Sequence, residues 1–127
     1  MVLGPFLLLV LGVFEFGRIC WTREALQETA AAGVRCMGLS ASSCASGGAY
    51  SSSNTKTYME GVASDWGITL TNSNFSLNSN TTCAGVSAPK GFSTVTITYT
   101  FQSIAPNEVK ALSGSPQLTA TACYPNY

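Results

Sequence analysis

From Met1 to Phe14 the chain reads MVLGPFLLLVLGVF, without a charged or hydrogen-bonding side chain, and then turns abruptly to Glu15-Phe16-Gly17-Arg18. The helical pattern does not stop there. Ile19, Trp21, Leu26, Ala30 and Val34 continue an apolar stripe on spacings near three, four and seven, with Arg18, Arg23, Glu24, Glu28 and Arg35 on other faces. Good helix formers fill the segment from Leu7 to Met37, and Gly38 is a natural stop. The pattern predicts one helix of about 35 residues, roughly 50 Å long. A small head cannot use all of such a helix for its own core, so half of it must bury its all-round apolar surface in lipid or in copies of itself. The opening apolar run is by itself shorter than the roughly 20 residues of a bilayer-spanning helix. No Lys or Arg precedes it and no small-residue cleavage site follows, which speaks against a signal peptide and leads us to expect a few further residues upstream.

Beyond Gly38 the pattern changes to Ser, Thr, Asn, Gly and Ala, and LSASSCASGGAYSSSN reads as a loop. A short amphipathic helix is expected next, with Asn54 as N-cap, Thr57 and Glu60 at capping-box spacing, Tyr58, Val62 and Trp66 on one side and Gly67 as its stop. Period-two alternation then marks strands at Ile68–Thr71, at Phe75–Leu77 and most clearly from Ser93 to Phe101. There Val95, Ile97, Tyr99 and Phe101 share one face and Thr94, Thr96, Thr98 and Thr100 the other. A weaker last strand runs from Gln117 to Ala122 and ends in Cys123. Threonine on the outer face implies an antiparallel sheet with one wet side. The expected fold class is α+β: a long N-terminal helix over 1–37 carrying a small head over 38–127, built from a short helix and an antiparallel sheet.

Composition narrows the chemistry. The chain has 127 residues, so one head plus one long element fills it. Six Lys+Arg balance six Asp+Glu and charged residues make up 9% of the chain, which provides no basic field for nucleic acid. With no His, a Ser-His-Asp triad, a Cys-His dyad, a His-ligated zinc site and a histidine pH switch are excluded. The head carboxylates Glu60, Asp65 and Glu108 have no paired spacing, and a match of Lys56, Lys90 or Lys110 to one of many serines has almost no specificity. No catalytic residue, cofactor or metal is expected. Tyr50, Tyr58, Trp66, Tyr124 and Tyr127 fit core or subunit contacts better than a glycan-binding patch. Asn74-Phe75-Ser76 and Asn80-Thr81-Thr82 match the glycosylation sequon, as chance allows in so Asn-, Ser- and Thr-rich a chain.

Five cysteines occur, none at Cys-x-x-Cys spacing. In a small head outside the cytosol they serve as staples. Cys36, Cys44, Cys83 and Cys123 allow three pairings. The favoured one is Cys36–Cys44, pinning the helix end to the head, with Cys83–Cys123 tying the central loop to the last strand. Cys20, among apolar neighbours in the helix, is expected to be a buried small hydrophobe.

The run GPFLLLVLGVFEFGRICWTREALQETAAAGVRCMGL closely resembles the N-terminal signature of TadE-like pilin proteins: an apolar helix with a proline, then Glu-Phe-Gly-Arg, an aromatic, Leu-Gln, an Ala-rich turn and Gly-x-Arg. The tail Leu118-Thr119-Ala120-Thr121-Ala122-Cys123-Tyr124-Pro125 resembles the ends of many members, whereas the middle, Ser40 to Ala88, carries no residue-level likeness. The resemblance implies a type IV pilin-like subunit of the tight-adherence class. Such subunits enter the bacterial inner membrane by the apolar helix, are trimmed by a prepilin peptidase, and are assembled by pilus machinery into a helical homo-oligomeric filament with the heads outside. The family's processing site lies before an earlier Glu-Phe pair; Glu15-Phe16 is the second such pair, and no cleavage residue can be named.

Within that reading the assembly helix comprises Pro5, Gly12, Glu15, Phe16, Gly17, Arg18 and Trp21. Gly4, Gly12 and Gly17 permit close helix approach, and Pro5 is tolerated in a first turn. Glu15 and Arg18, at i and i+3, form either an intrahelical surface pair or a pair required in a packed core, within or between subunits. The function expected is an extracellular filament subunit for adhesion or surface contact. The alternative is a minor pilin that primes or tips a filament, or a membrane-anchored binding module.

Overall fold

The computed structural model describes residues 1–101 and 117–126; Glu108, Lys110 and Tyr127 lie outside them. Its class is α+β, with a long N-terminal helix, a second short helix and antiparallel sheets. Helix α1 runs Leu3–Gly38, 36 residues. Its length matches the expected helix of about 35 residues, and Pro5 falls among first-turn residues whose amides have no intrahelical acceptor. The first such bond is donated by the Phe6 amide to the Val2 carbonyl, 3.2 Å.

The two halves of α1 have opposite environments. From Thr22 onward one face is buried: Thr22, Ala25, Leu26, Thr29, Ala30, Gly33, Val34, Cys36 and Met37. These positions follow the three-and-four spacing of a helical stripe and are mostly small. The two threonine hydroxyls reach the carbonyls one turn back, Thr22 to Arg18 at 2.9 Å and Thr29 to Ala25 at 2.8 Å, so neither is an unsatisfied donor in the core. Leu26, Ala30 and Val34 of the expected stripe belong to this face. Trp21 does not, and stands 56% exposed.

The helix closes with a Schellman motif. Ser40, at φ +49°, donates to the Met37 carbonyl, and Ala41 donates to the Cys36 carbonyl, both at 3.1 Å. Gly38 is the last helical residue rather than the left-handed one. Its lack of a side chain instead makes room for the Tyr124 ring. A disulfide joins Cys36 to Cys44, with Cα atoms 5.9 Å apart. Within the expected loop, strands β1 (Ala45–Ser46) and β2 (Ala49–Tyr50) form a minimal hairpin. Gly47 and Gly48, at φ +62° and +82°, supply its two-residue turn. Burial of Tyr50 raises the pKa of its hydroxyl.

Helix α2 spans Ser52–Asp65. Its N-cap is Ser51, in place of the expected Asn54: Ser51 has extended backbone and its Oγ accepts from the Asn54 amide at 3.4 Å. Asn54 turns its side chain away to donate to the Ala45 carbonyl, 2.9 Å. Thr57 likewise spends its hydroxyl on the Ser53 carbonyl inside the helix. The buried stripe is Thr55, Met59 and Ala63, one position off the expected Tyr58, Val62 and Trp66, which flank it half-buried. Gly67, at φ +80°, ends the helix as expected, donating to the Ser64 carbonyl while Ile68 donates to that of Ala63. Ile68–Thr71 is not a strand. Ile68 and Leu70 are buried, but among the described residues no strand pairs with the segment, which leads into a 3₁₀ turn at Asn72–Asn74. Asn74 caps that turn and donates to the Thr98 carbonyl at 2.9 Å, so the amide of the first sequon has a structural job.

The sheet has strands β3 (Phe75–Thr81), β4 (Phe92–Thr100) and β5 (Gln117–Pro125) in the order β3-β4-β5, all antiparallel. Ile97 lies opposite Phe75 on one side and Ala120 on the other, which stacks the inward residues into rows. β5 continues past the expected end because Cys123, Tyr124 and Pro125 stay in register with Thr94, Ser93 and Phe92. α1 packs across β4 and β5 and alongside α2. Leu26, Met59, Val95 and Ile97 fill the centre of the resulting core. A second disulfide joins Cys83 to Cys123 at a Cα separation of 6.2 Å.

Candidate functional site: the exposed helix and its shoulder

The head covers α1 only from about Thr22, so the first half of the helix projects from it. Over that projection Phe6, Leu8, Leu9, Val13, Phe14 and Phe16 are all more than half exposed. An 18-residue window here has mean hydropathy 1.8 with no residue buried; by length and composition this helix could cross a membrane. The window is longer than the opening run because it bridges the Glu15–Arg18 step. Those two side chains pair with each other at 2.9 Å along the helix, which lowers the cost of carrying them in an apolar stretch.

The residues proposed for assembly divide by position. Pro5 and Gly12 lie on the bare projection, and nothing stands within 4 Å of where a Cβ on Gly12 or Gly17 would sit, so their faces are open. Phe16 points into solvent at 68% exposure. Glu15, Arg18 and Trp21 approach the head. The Glu15 side chain is only 13% exposed against 38% for Arg18, and the Arg18 guanidinium lies over the Phe101 ring, 5.1 Å from its centroid. The Trp21 and Trp66 rings meet with centroids 5.1 Å apart and planes tilted by 58°, and the Trp21 indole N–H donates to the Trp66 carbonyl at 3.2 Å. Between helix and head these groups bound a groove of about 530 Å³, lined among others by Phe14, Arg18, Trp21, Trp66, Tyr99 and Phe101.

Sequence reasoning missed this shoulder. Trp66, Tyr99 and Phe101 come from the ends of α2 and β4, far apart in the chain, and only the fold brings them beside Trp21. A partial signal existed, since Trp66 and Phe101 stand at the ends of α2 and β4. Cys20 corrects another expectation. It is exposed, because on the projecting half of α1 there is no head to bury it. Tyr50, Tyr58, Trp66 and Tyr124 pack half-buried against the core instead of forming a separate patch. Among the described residues, no group of three or more His, Cys, Asp or Glu side chains could hold a metal ion.

The fold and its shoulder thus define a class: a head with its own core, carried on a helix whose leading half is apolar and uncovered. Residues 1–35 match the family model described as TadE-like protein, so the resemblance is shown over that segment. No curated protein and no solved structure matches the chain.

Proposed function

We propose that this chain is a structural subunit of a Tad-type pilus, polymerising through its N-terminal helix into an extracellular filament for adhesion or surface contact. The uncovered projection of α1 carries this reading: a long apolar surface, joined without a break to a helix fixed in the head, in the segment that matches the TadE-like family. Before assembly the same surface is held in the inner membrane, where a helix keeps all its backbone hydrogen bonds internal. Prepilin peptidase and the pilus machinery then act on it, and copies of α1 replace lipid with one another. The open faces at Gly12 and Gly17 favour close helix approach, and the Glu15–Arg18 pair enters the packed core already neutralised. The disulfides Cys36–Cys44 and Cys83–Cys123 staple the head outside the cytosol.

The test is filament yield from cells that contain the assembly machinery. Gly12→Trp should obstruct close packing and Glu15→Leu should leave Arg18 without its helical partner, so each should reduce sheared surface filaments several-fold while the oxidised head still accumulates. Unchanged yield from both variants would refute the helix-core reading. Recovery of the chain as a trace component of filaments built mainly from another protein would make it a priming or tip subunit.

A further inference from the structure

Trp21 and its neighbours lie at a particular height on the helix. From Leu3 to Trp21 the helix supplies 18 residue steps, at least about 27 Å of shaft at ~1.5 Å per residue, enough to reach most of the way through the ~30 Å hydrocarbon core of a bilayer. Below that height the exposed side chains are overwhelmingly apolar. Immediately above it they become Arg23, Glu24, Gln27 and Glu28, all exposed. The change of polarity therefore falls at the shoulder groove, where Trp21, Trp66 and Tyr99 gather from three elements.

Tryptophan and tyrosine are the residues that favour the boundary between acyl chains and headgroups, because their rings are apolar and carry one polar atom. The Trp21 N–H is already satisfied by the Trp66 carbonyl, so its half-exposed ring can face acyl chains without stranding a donor. Arg18, the one charged side chain among the described residues lining the groove, is paired with Glu15 and lies against Phe101, so it is not free to draw in anionic lipid.

We propose that the shoulder groove is the membrane-interface seat of the unassembled subunit: Trp21, Trp66 and Tyr99 rest at the headgroup boundary of the outer leaflet and fix how deep the helix sits. This rests on the reading of α1 as a membrane anchor before assembly. The occupant of the groove is the glycerol and upper acyl region of a zwitterionic bilayer.

The chain's two tryptophans make the depth measurable. Full-length protein with either Trp21→Phe or Trp66→Phe would be reconstituted in phosphatidylcholine vesicles, and the remaining tryptophan quenched with lipids brominated near the glycerol backbone, at mid-chain or at the chain end. Both reporters should emit to the blue of their value in water, and shallow bromines should quench each at least about twofold more than deep ones. Adding phosphatidylglycerol should leave the profile unchanged. Far-ultraviolet circular dichroism confirms that each variant is folded, and the unaltered chain, reporting both rings together, provides the same profile if one variant is not. Three results would overturn the proposal: Trp66 quenched by acrylamide in water but by no brominated lipid, Trp21 quenched most by chain-end bromine, or lipid shielding of Trp66 that emerges only at concentrations where copies associate, which would assign the groove to a second copy. Filaments without an interfacial profile would refute this seat alone, and an interfacial profile in a chain that never enters filaments would refute the polymer alone.

Discussion

Asn126, which no sequence pattern singles out, closes one end of the sheet. Its side-chain Nδ2 donates to the Ser79 carbonyl at 2.7 Å and the Lys90 carbonyl at 3.0 Å, its Oδ1 accepts from the Ser93 hydroxyl at 2.5 Å, and its backbone amide donates to the Gly91 carbonyl at 3.1 Å. One amide thereby ties the end of β3, the turn before β4 and the start of β4 to the residue after β5. Ser93 is 1% exposed, so removing its acceptor strands a buried hydroxyl. Asn126→Ala should destabilise the head by about 1–3 kcal/mol in equilibrium denaturation. Ser93→Ala combined with it should recover part of that loss, since both polar partners are then gone. Equal stability of Asn126→Ala and the native chain would mean that water replaces all these bonds. Nothing in a lone Asn behind Tyr124-Pro125 marks this role, because three of its partners are backbone carbonyls, which carry no sequence signal, and the fourth is one serine among many.

Between the two helices, small residues decide the spacing. A Cβ on Gly33 would overlap the side chain of the fully buried Met59, whereas nothing lies within 4 Å of one on the exposed Gly61. Two glycine substitutions on facing helices therefore have opposite signs. Gly33→Leu should force α1 and α2 apart and cost about 1–3 kcal/mol, while Gly61→Ala should gain up to ~1 kcal/mol from helix propensity alone. Thermal unfolding of the two variants checks the pair; a stabilised Gly33→Leu would show that Met59 repacks freely. At this scale much of the fold was legible. The β4 alternation and the Gly67 stop are local patterns with local causes, and both are present. The N-cap was misplaced because Ser51, Ser52, Ser53 and Asn54 are all good caps, and only the turn of the preceding hairpin selects Ser51. Ile68–Thr71 alternates like a strand, but alternation records burial of Ile68 and Leu70 and cannot supply a partner strand. On α1 periodicity revealed a stripe without revealing how far along the helix the head extends, so Cys20, expected to be buried, is exposed.

Across the whole molecule the decisive feature is that one continuous helix belongs to two environments. Among the described residues, every α1 side chain buried in the head lies at or beyond Thr22, and the projecting half adds the Glu15–Arg18 pair and the apolar rim of the shoulder. The buried apolar stripe of α1 lies beyond Thr22, so most of the head's stability should survive loss of the projection. Its solubility should change. Fourteen opening apolar positions held away from any core leave self-association or lipid as the ways to remove them from water. Contacts repeated along such a helix by rotation and rise are heterologous, and need not close into a ring. Removing residues 1–17 leaves Arg18 over Phe101 and Trp21 on Trp66, with the core stripe intact. That truncated chain should be a monomer by sedimentation, should keep both disulfides on non-reducing peptide mapping, and should melt within about 5 °C of the detergent-solubilised full chain. If the truncated head still formed filaments, the polymer contacts would lie in the head, and the projecting helix would be an anchor only.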